Sequence, residues 1–329
     1  MKRINIILYS RALLALSVFF WHIPDLSKYV IPGRISVQIF FGISSFVIIN
    51  SFNNKKLTIV DVLNFYKKRL LRIYPVFFLS SLLMLAILLI NNHYIEINSN
   101  NVFSQFLFFQ FNHNYLLNGV FWTLGIEMNF YLIVPLIILL TRRYINSKLS
   151  FCFVIYFAIL TFPILITILN QDLSKLDSRN IFGNFSHFYV SFIAYELLKY
   201  RNSFLAYFKY LFLVFLFLLA ILIYFYYSHP FLFWTLGKFI VDLMILIILL
   251  IHDNLSSTFI NNKNILISFL EYIGKISFGI YAYHYVVFKL LPYNHFNFLI
   301  ILLVTIFFST ISYLFIEPFF LSFSKVKNK

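Results

Sequence analysis

The chain has 329 residues, of which 61% are hydrophobic, 22% aromatic and only 11% charged. No water-soluble domain of this size carries such a composition, so the sequence specifies a membrane protein. The formal net charge of +15 would suit nucleic acid, but the cations lie between apolar runs rather than on a soluble basic face, which argues against that partner.

Apolar runs of near-spanning length recur from end to end and predict an all-α integral membrane protein with about ten transmembrane helices. The runs are Ile6 to Ile23, Ile35 to Phe52, Ile73 to Asn91, Trp122 to Leu140, Leu149 to Leu169, Phe182 to Leu198, Tyr207 to Tyr227, Leu236 to His252, Ile276 to Leu291 and Phe298 to Ile316. With a cytoplasmic start, only Lys28, Arg34, Lys175, Arg179, Lys238 and Lys289 of the 26 Lys and Arg residues fall on the outer side. That asymmetry obeys the positive-inside rule and places both termini in the cytoplasm. The longest polar stretch, Asn91 to Asn118, is too short to bury a core of its own. Residues 1–329 therefore read as a single membrane domain, with no internal repeat.

The first run contains RALLALSVFFWH and continues into Pro24 and Asp25 without a small-residue cleavage site, so it reads as a retained helix. Arg11 and His22 lie about three turns apart on one face, with a rise of about 16 Å between them. Ionisable groups at two depths in a membrane are functional candidates. Next, TIVDVLNFYKKRLLRI places Ile59, Val62, Leu63, Tyr66, Leu70 and Ile73 at helical spacing. This predicts a cytoplasmic amphipathic helix over about 58–72 that leads into the third span. Arg69 and Arg72 share a face of it, a spacing suited to phosphate oxygens or to anionic lipid headgroups.

The fourth run opens FWTLGIEMNFYLIVP and puts Glu127 about a turn and a half below the outer surface, near the expected depth of His22. An imidazole beside a carboxylate is the minimum equipment for general base catalysis, and equally a hydrogen bond that pins two helices. Tyr131, one turn on, faces the same way and can hydrogen-bond Glu127. Cys152 is the only cysteine, which excludes an internal disulfide or a cysteine-based metal site. Asp242 lies within a run and has Lys238 four residues back as its expected partner. His284 lies about two turns from the outer end of its run, where acceptor contact and pairing with Glu127 are both open. Glu317, beside Pro318, has the cytoplasmic arginines as expected partners. His93, His113, His229 and His252 lie in loops or at run ends. No group of residues has metal-ligand spacing, and no glycine-rich phosphate loop is present.

Six of these segments, in order, resemble the membrane-bound acyltransferase-3 family. RALLALSVFFWH is similar to its first-helix Arg–His signature, VQIFFGISSFVI to its Phe-Phe/Ser-Gly-Phe motif, and KKRLLRIYP to its Arg-x-x-Arg-x-x-Pro element. WTLGIEMNFYLIVP, SFGIYAYHYVVF and SYLFIEPFF match the later Trp-Ser-Leu-x-x-Glu, Tyr-x-x-His and closing Ile-Glu-x-Pro-like stretches. The chain departs from the pattern at Leu8, where an acidic residue is usual, and at Ala12, Ser45 and Thr123, which are small-for-small changes. It resembles the stand-alone form of the family, without the appended extracytoplasmic hydrolase-like domain.

The resemblance implies an O-acyltransferase, most often an O-acetyltransferase, in a bacterial inner (plasma) membrane. Its acyl donor would be cytoplasmic acyl-CoA (acetyl-CoA) as co-substrate, with no permanently bound cofactor and no metal. Its acceptor would be a hydroxyl of a surface polysaccharide or lipid-linked glycan. On this resemblance His22 is the general base and Glu127 its catalytic partner. Arg11, Arg69 and Arg72 bind acyl-CoA, while Tyr131, His284, Ser44 and Trp122 support the site or contact acceptor. The alternative from the residues alone is a flippase or transporter of a glycan or lipid, which would also combine many spans with buried charges.

Overall fold

The computed structural model describes residues 6–52, 57–91, 102, 106, 117–144, 149–170, 181–198, 208–251, 265–294 and 297–324. His93, His113 and His252 lie outside these residues. Every regular element among the described residues is helical. In chain order they are α1 (Ile6–Trp21), α2 (Gly33–Ser51), α3 (Ile59–Ile90), α4 (Trp122–Tyr144), α5 (Leu149–Asn170) and α6 (Ile181–Leu197). There follow α7 (Phe208–Ser228), the short helix Pro230–Trp234, α8 (Leu236–Ile251), α9 (Ile265–Leu290) and α10 (Phe298–Ile311). A π-helical stretch, Ser312–Ile316, carries α10 into α11 (Glu317–Ser322).

Six helical segments are long and apolar enough to cross a membrane: Gly33–Ser51, Ile59–Ile90, Gly119–Leu139, Tyr210–Ser228, Ile265–Leu290 and Phe298–Ser322. Ile6–Trp21 and Cys152–Leu165 are shorter apolar helices. Large apolar side chains such as Leu13, Phe217, Leu303 and Phe315 point outward, an arrangement that water penalises and lipid tolerates. The protein is an all-α, multi-pass membrane protein.

The expected surface helix and third span form one continuous helix. Thr58 starts it with a capping box, its hydroxyl accepting from the Asp61 N–H at 3.2 Å while the Asp61 carboxylate accepts from the Thr58 N–H at 3.1 Å. Pro75 lies within the helix, where α-helical pairing elsewhere along the segment keeps the backbone satisfied. Ile59, Leu63 and Leu70 face outward, whereas Phe65 and Ile73 are buried. Phe65, Arg69, Arg72 and Ile73 share one face by helical spacing, so this face turns the two arginines into the protein.

Among the described residues, α1 and α9 make a backbone-to-backbone approach. Leu8 meets Gly274, and a Cβ built on that glycine would sit 2.2 Å from the Leu8 carbonyl oxygen. Only a residue with no side chain permits this approach, the device by which membrane helices pack backbone to backbone. Ala12 and Ala15 extend the small face of α1 and pack on Ile273, Ile276 and Ile280. Further along, Arg11 meets Ser277 and His22 meets His284, so the two helices run parallel and in register. Gly42 of α2 likewise leaves room for Ile245 of α8.

Away from this pair, α5, α6 and α8 share a buried polar knot. The Asp242 carboxylate accepts from the Tyr156 hydroxyl at 2.8 Å and contacts His187 Nδ1 at 2.6 Å. The four-residue step along α8 puts Lys238 on the same side of the helix as Asp242, while these two contacts reach the carboxylate from α5 and α6 across the interface. Outside the membrane segments, the Tyr293 hydroxyl donates to the Asp25 carboxylate, tying the end of α9 to the turn after α1. That bond holds the phenol above its usual pKa.

Gly274→Val would place a branched side chain against the Leu8 backbone, an overpacking that costs about 1–3 kcal/mol or more. The detergent-solubilised variant is expected to unfold at clearly lower temperature, measured by scanning fluorimetry. Gly119→Ala is the control, because no atom lies within 4 Å of its added Cβ, and its unfolding midpoint should match the parent.

Candidate functional site

Arg11, Arg69, Arg72, Glu127 and Tyr131 line one cavity of about 90 Å³, together with Ser44, Ser277 and Tyr281. The helix pairing described above sets Arg11 there, and its Nε donates to the Ser277 hydroxyl at 3.1 Å. The Arg69 guanidinium lies over the rings of Phe65 and Tyr131, 5.6 Å from each centroid. Such stacking fixes its plane while leaving its edge for an anion. Arg72 hydrogen-bonds no described residue and presents its charge to the cavity. The Tyr131 hydroxyl donates to the Glu127 carboxylate, and Arg11 is within electrostatic range of that carboxylate. Glu317, buried at the start of α11, is within electrostatic range of Arg72 and Arg11. Three guanidinium groups against one lining carboxylate leave this cavity positively charged, a setting for an anionic ligand.

A second cavity, of about 370 Å³, opens at the His22 end of α1. Its volume lies within the range typical of small-molecule sites, whereas the arginine-lined slot admits only a thin group. Trp21, His22, Arg34, Trp122, Tyr281 and Tyr285 line the larger cavity. All three tryptophans of the chain gather here, because the Arg34 guanidinium rests over the ring of Trp234 at 5.2 Å. Trp21 is held edge-on to Tyr226, with centroids 5.8 Å apart.

His22 lies in the turn that follows α1, and its Nδ1 is 2.8 Å from the Val18 carbonyl oxygen. A carbonyl only accepts, so Nδ1 carries the proton and, in the neutral ring, Nε2 keeps the lone pair. The His284 ring lies 4.9 Å from that of His22, centroid to centroid, with Tyr285 and Phe288 beside it. His284 is fully buried, and its Nδ1 is 2.8 Å from the Tyr281 carbonyl oxygen.

The expected His22–Glu127 hydrogen bond is not formed. His22 lies beyond the last turn of α1, while Glu127 lies five residues into α4 and lines the arginine cavity, so the two belong to different compartments. The imidazole takes its tautomer from its own backbone instead. Tyr131 does meet Glu127, whereas His284 meets His22 rather than Glu127. Ser44 lines the arginine cavity and Trp122 the larger one.

Sequence reasoning passed over Tyr281, which lines both cavities. Its signal lay in the spacing of SFGIYAYHYVVF, since Ser277, Tyr281, His284 and Tyr285 form one helical stripe. Arg34 and Trp234 were invisible as a pair because a cation–π contact across 200 residues of chain has no local signature. His187 gave no signal either, since its partner Asp242 lies on another helix. Among the described residues no group of three or more His, Cys, Asp or Glu side chains could hold a metal ion.

Comparison with known proteins gives the family. A family model, acyltransferase-3, described as an acyltransferase domain, matches residues 4–317. ORF330 of Acidianus two-tailed virus, named as a predicted acetyltransferase, is 30% identical over 135 residues, a stretch that covers 39% of this chain and 38% of that protein. No solved structure matches the chain. The matched residues carry α1 and α9, both cavities and the side chains that line them, and over that length the chain belongs to the acyltransferase-3 family of acyltransferases.

Proposed function

We propose that the protein is an O-acyltransferase of a bacterial plasma membrane that moves an acyl group, acetyl in the first instance, from cytoplasmic acyl-CoA to a hydroxyl of a surface polysaccharide or lipid-linked glycan. One observation carries the reading: a narrow, positively charged slot and a larger aromatic cavity containing an imidazole base meet along one helix pair. On the charge distribution of the loops, the arginine end faces the cytoplasm and the His22 end the outside.

Acyl-CoA bears a pyrophosphate and a 3′-phosphate, which Arg69 and Arg72 would receive with their planar donor forks. The slot is narrow enough for the thin pantetheine arm to pass Arg11 while excluding the nucleotide. Glu127, bonded to Tyr131, would balance the neighbouring guanidinium groups and hold them in place. The aromatic walls of the larger cavity suit a pyranose ring, which is apolar on its faces and polar at its rim.

The reaction would then run between the two cavities. Nε2 of His22 takes the proton of the acceptor hydroxyl as its oxygen attacks the thioester carbonyl carbon. The new C–O bond forms, the C–S bond breaks, and the CoA thiolate recovers the proton from the imidazolium. The Val18 carbonyl stabilises that imidazolium through Nδ1–H and keeps Nε2 aimed at the hydroxyl.

Membranes carrying the protein are expected to transfer radiolabelled acetyl from acetyl-CoA to envelope glycan, and His22→Ala should lower that transfer about 100-fold or more. Unchanged incorporation in the variant would overturn the mechanism. Mass spectrometry of surface polysaccharide from cells with and without the gene names the acceptor and the acyl group. Arg69→Ala and Arg72→Ala should each raise the apparent KM for acetyl-CoA by about tenfold or more, the worth of a charged hydrogen bond. A change confined to the acceptor KM would place those arginines elsewhere.

A further inference from the structure

Among the described residues only Val37 and Tyr281 line both cavities. Tyr281 springs from α9, crosses to the start of α4 and is held there at its far end. Its hydroxyl lies 2.5 Å from the Thr123 hydroxyl and donates to the Val120 carbonyl. An aromatic ring anchored at its Cα and at its hydroxyl is a stiff bar, because it has only two side-chain torsions to lose. Along α9 this bar stands one turn beyond Ser277, which holds Arg11, and one turn before Tyr285, which faces His22. It therefore lies midway between the two ends of the Arg11–His22 path.

We infer that Tyr281, braced by Val37, is the partition between the arginine-lined slot and the His22 cavity, and that the passage through the protein opens only when this ring moves. A polar path running without a break from one membrane face to the other would leak water and ions, so two cavities that lie toward opposite ends of the Arg11–His22 face need a barrier where they meet. The tether that fixes its far end is a pair of hydrogen bonds, which a small movement of the ring can break. The partition stands on the geometry of the two cavities. Its use as the crossing point for an acyl group rests on the proposed acyl transfer.

The test uses the full-length protein in oriented membrane vesicles. Ser44→Cys places a thiol in the slot, and the native Cys152 is buried and serves as an unreactive background. The probe is a membrane-impermeant, anionic methanethiosulfonate, chosen because the slot is cationic. With Tyr281 present, the Ser44→Cys thiol is expected to react from the Arg69 face only. Tyr281→Ala should raise labelling from the His22 face at least tenfold, and Tyr281→Phe, which keeps the ring but loses the tether, should raise it by less. Labelling from the His22 face that is the same with and without Tyr281 overturns the partition. Equal labelling of the parent and Tyr281→Ala proteins from the Arg69 face shows that the fold is intact. If Tyr281→Ala fails that control, Val37→Ala opens the same wall and carries the same expectation.

These labelling results need no acyl donor and stand apart from the acyltransferase assay. In that assay, Tyr281→Ala should release CoA from acetyl-CoA without acetylating glycan, as water reaches the thioester. Release that stays coupled to glycan acetylation would overturn the crossing-point role and leave the partition standing.

Discussion

The site depends on the backbone-to-backbone approach of α1 and α9 at Leu8 and Gly274. Because the added Cβ at Gly274 would meet a carbonyl oxygen at 2.2 Å, no other residue allows the two helices to run in this register. The register in turn sets Arg11 on Ser277 and His22 beside His284. Two parallel helices held this close act as one rod, with a cation near one end and an imidazole at the other. In lipid there is no water to drive helices together, so the approach rests on small residues, here Gly274, Ala12 and Ala15, that let packing reach the backbone.

Around that rod the polar groups sort by the cost of burial. Three arginines gather in one slot because each finds a partial partner: Ser277 for Arg11, two aromatic faces for Arg69, and the nearby Glu317 for Arg72. The slot keeps an excess of positive charge, which in a low-dielectric setting favours an anion. The Asp242–His187–Tyr156 knot shows the opposite solution. There a carboxylate buried to 1% exposure is bound from two other helices, touches neither cavity, and serves to hold α5, α6 and α8 together.

Much of this was legible beforehand, and the reasons are local. Apolar runs mark helices because lipid demands a continuous apolar surface and internal backbone pairing, so the runs that begin at Trp122 and Phe298 begin where helices do, although their ends differ by several residues. The Arg69–Arg72 pair was readable because three residues of helix bring two side chains to one face, and Tyr131 with Glu127 because four residues do the same. The match between His22 and Glu127 failed for a related reason. Depth along a span says nothing of lateral position, and it also misses by a turn when one residue lies past a helix end and the other well inside a helix. Tyr156 and His187 as partners of Asp242 went unseen because sequence spacing ranks neighbours on one helix and is blind to those on the next.

The amino-acid sequence by itself determined that the chain is a helical membrane protein and which ionisable side chains fall within its apolar runs. These properties follow from hydropathy and the 3.6-residue turn, which act within a single segment. Only the tertiary structure decided that Glu127 joins the arginines, that His22 takes its tautomer from Val18, that Arg34 rests on Trp234, and that Tyr281 lines both cavities. Each of these is a contact between groups whose positions depend on how separate helices pack, and that packing turns on close approaches such as Leu8 on Gly274, which no single segment contains.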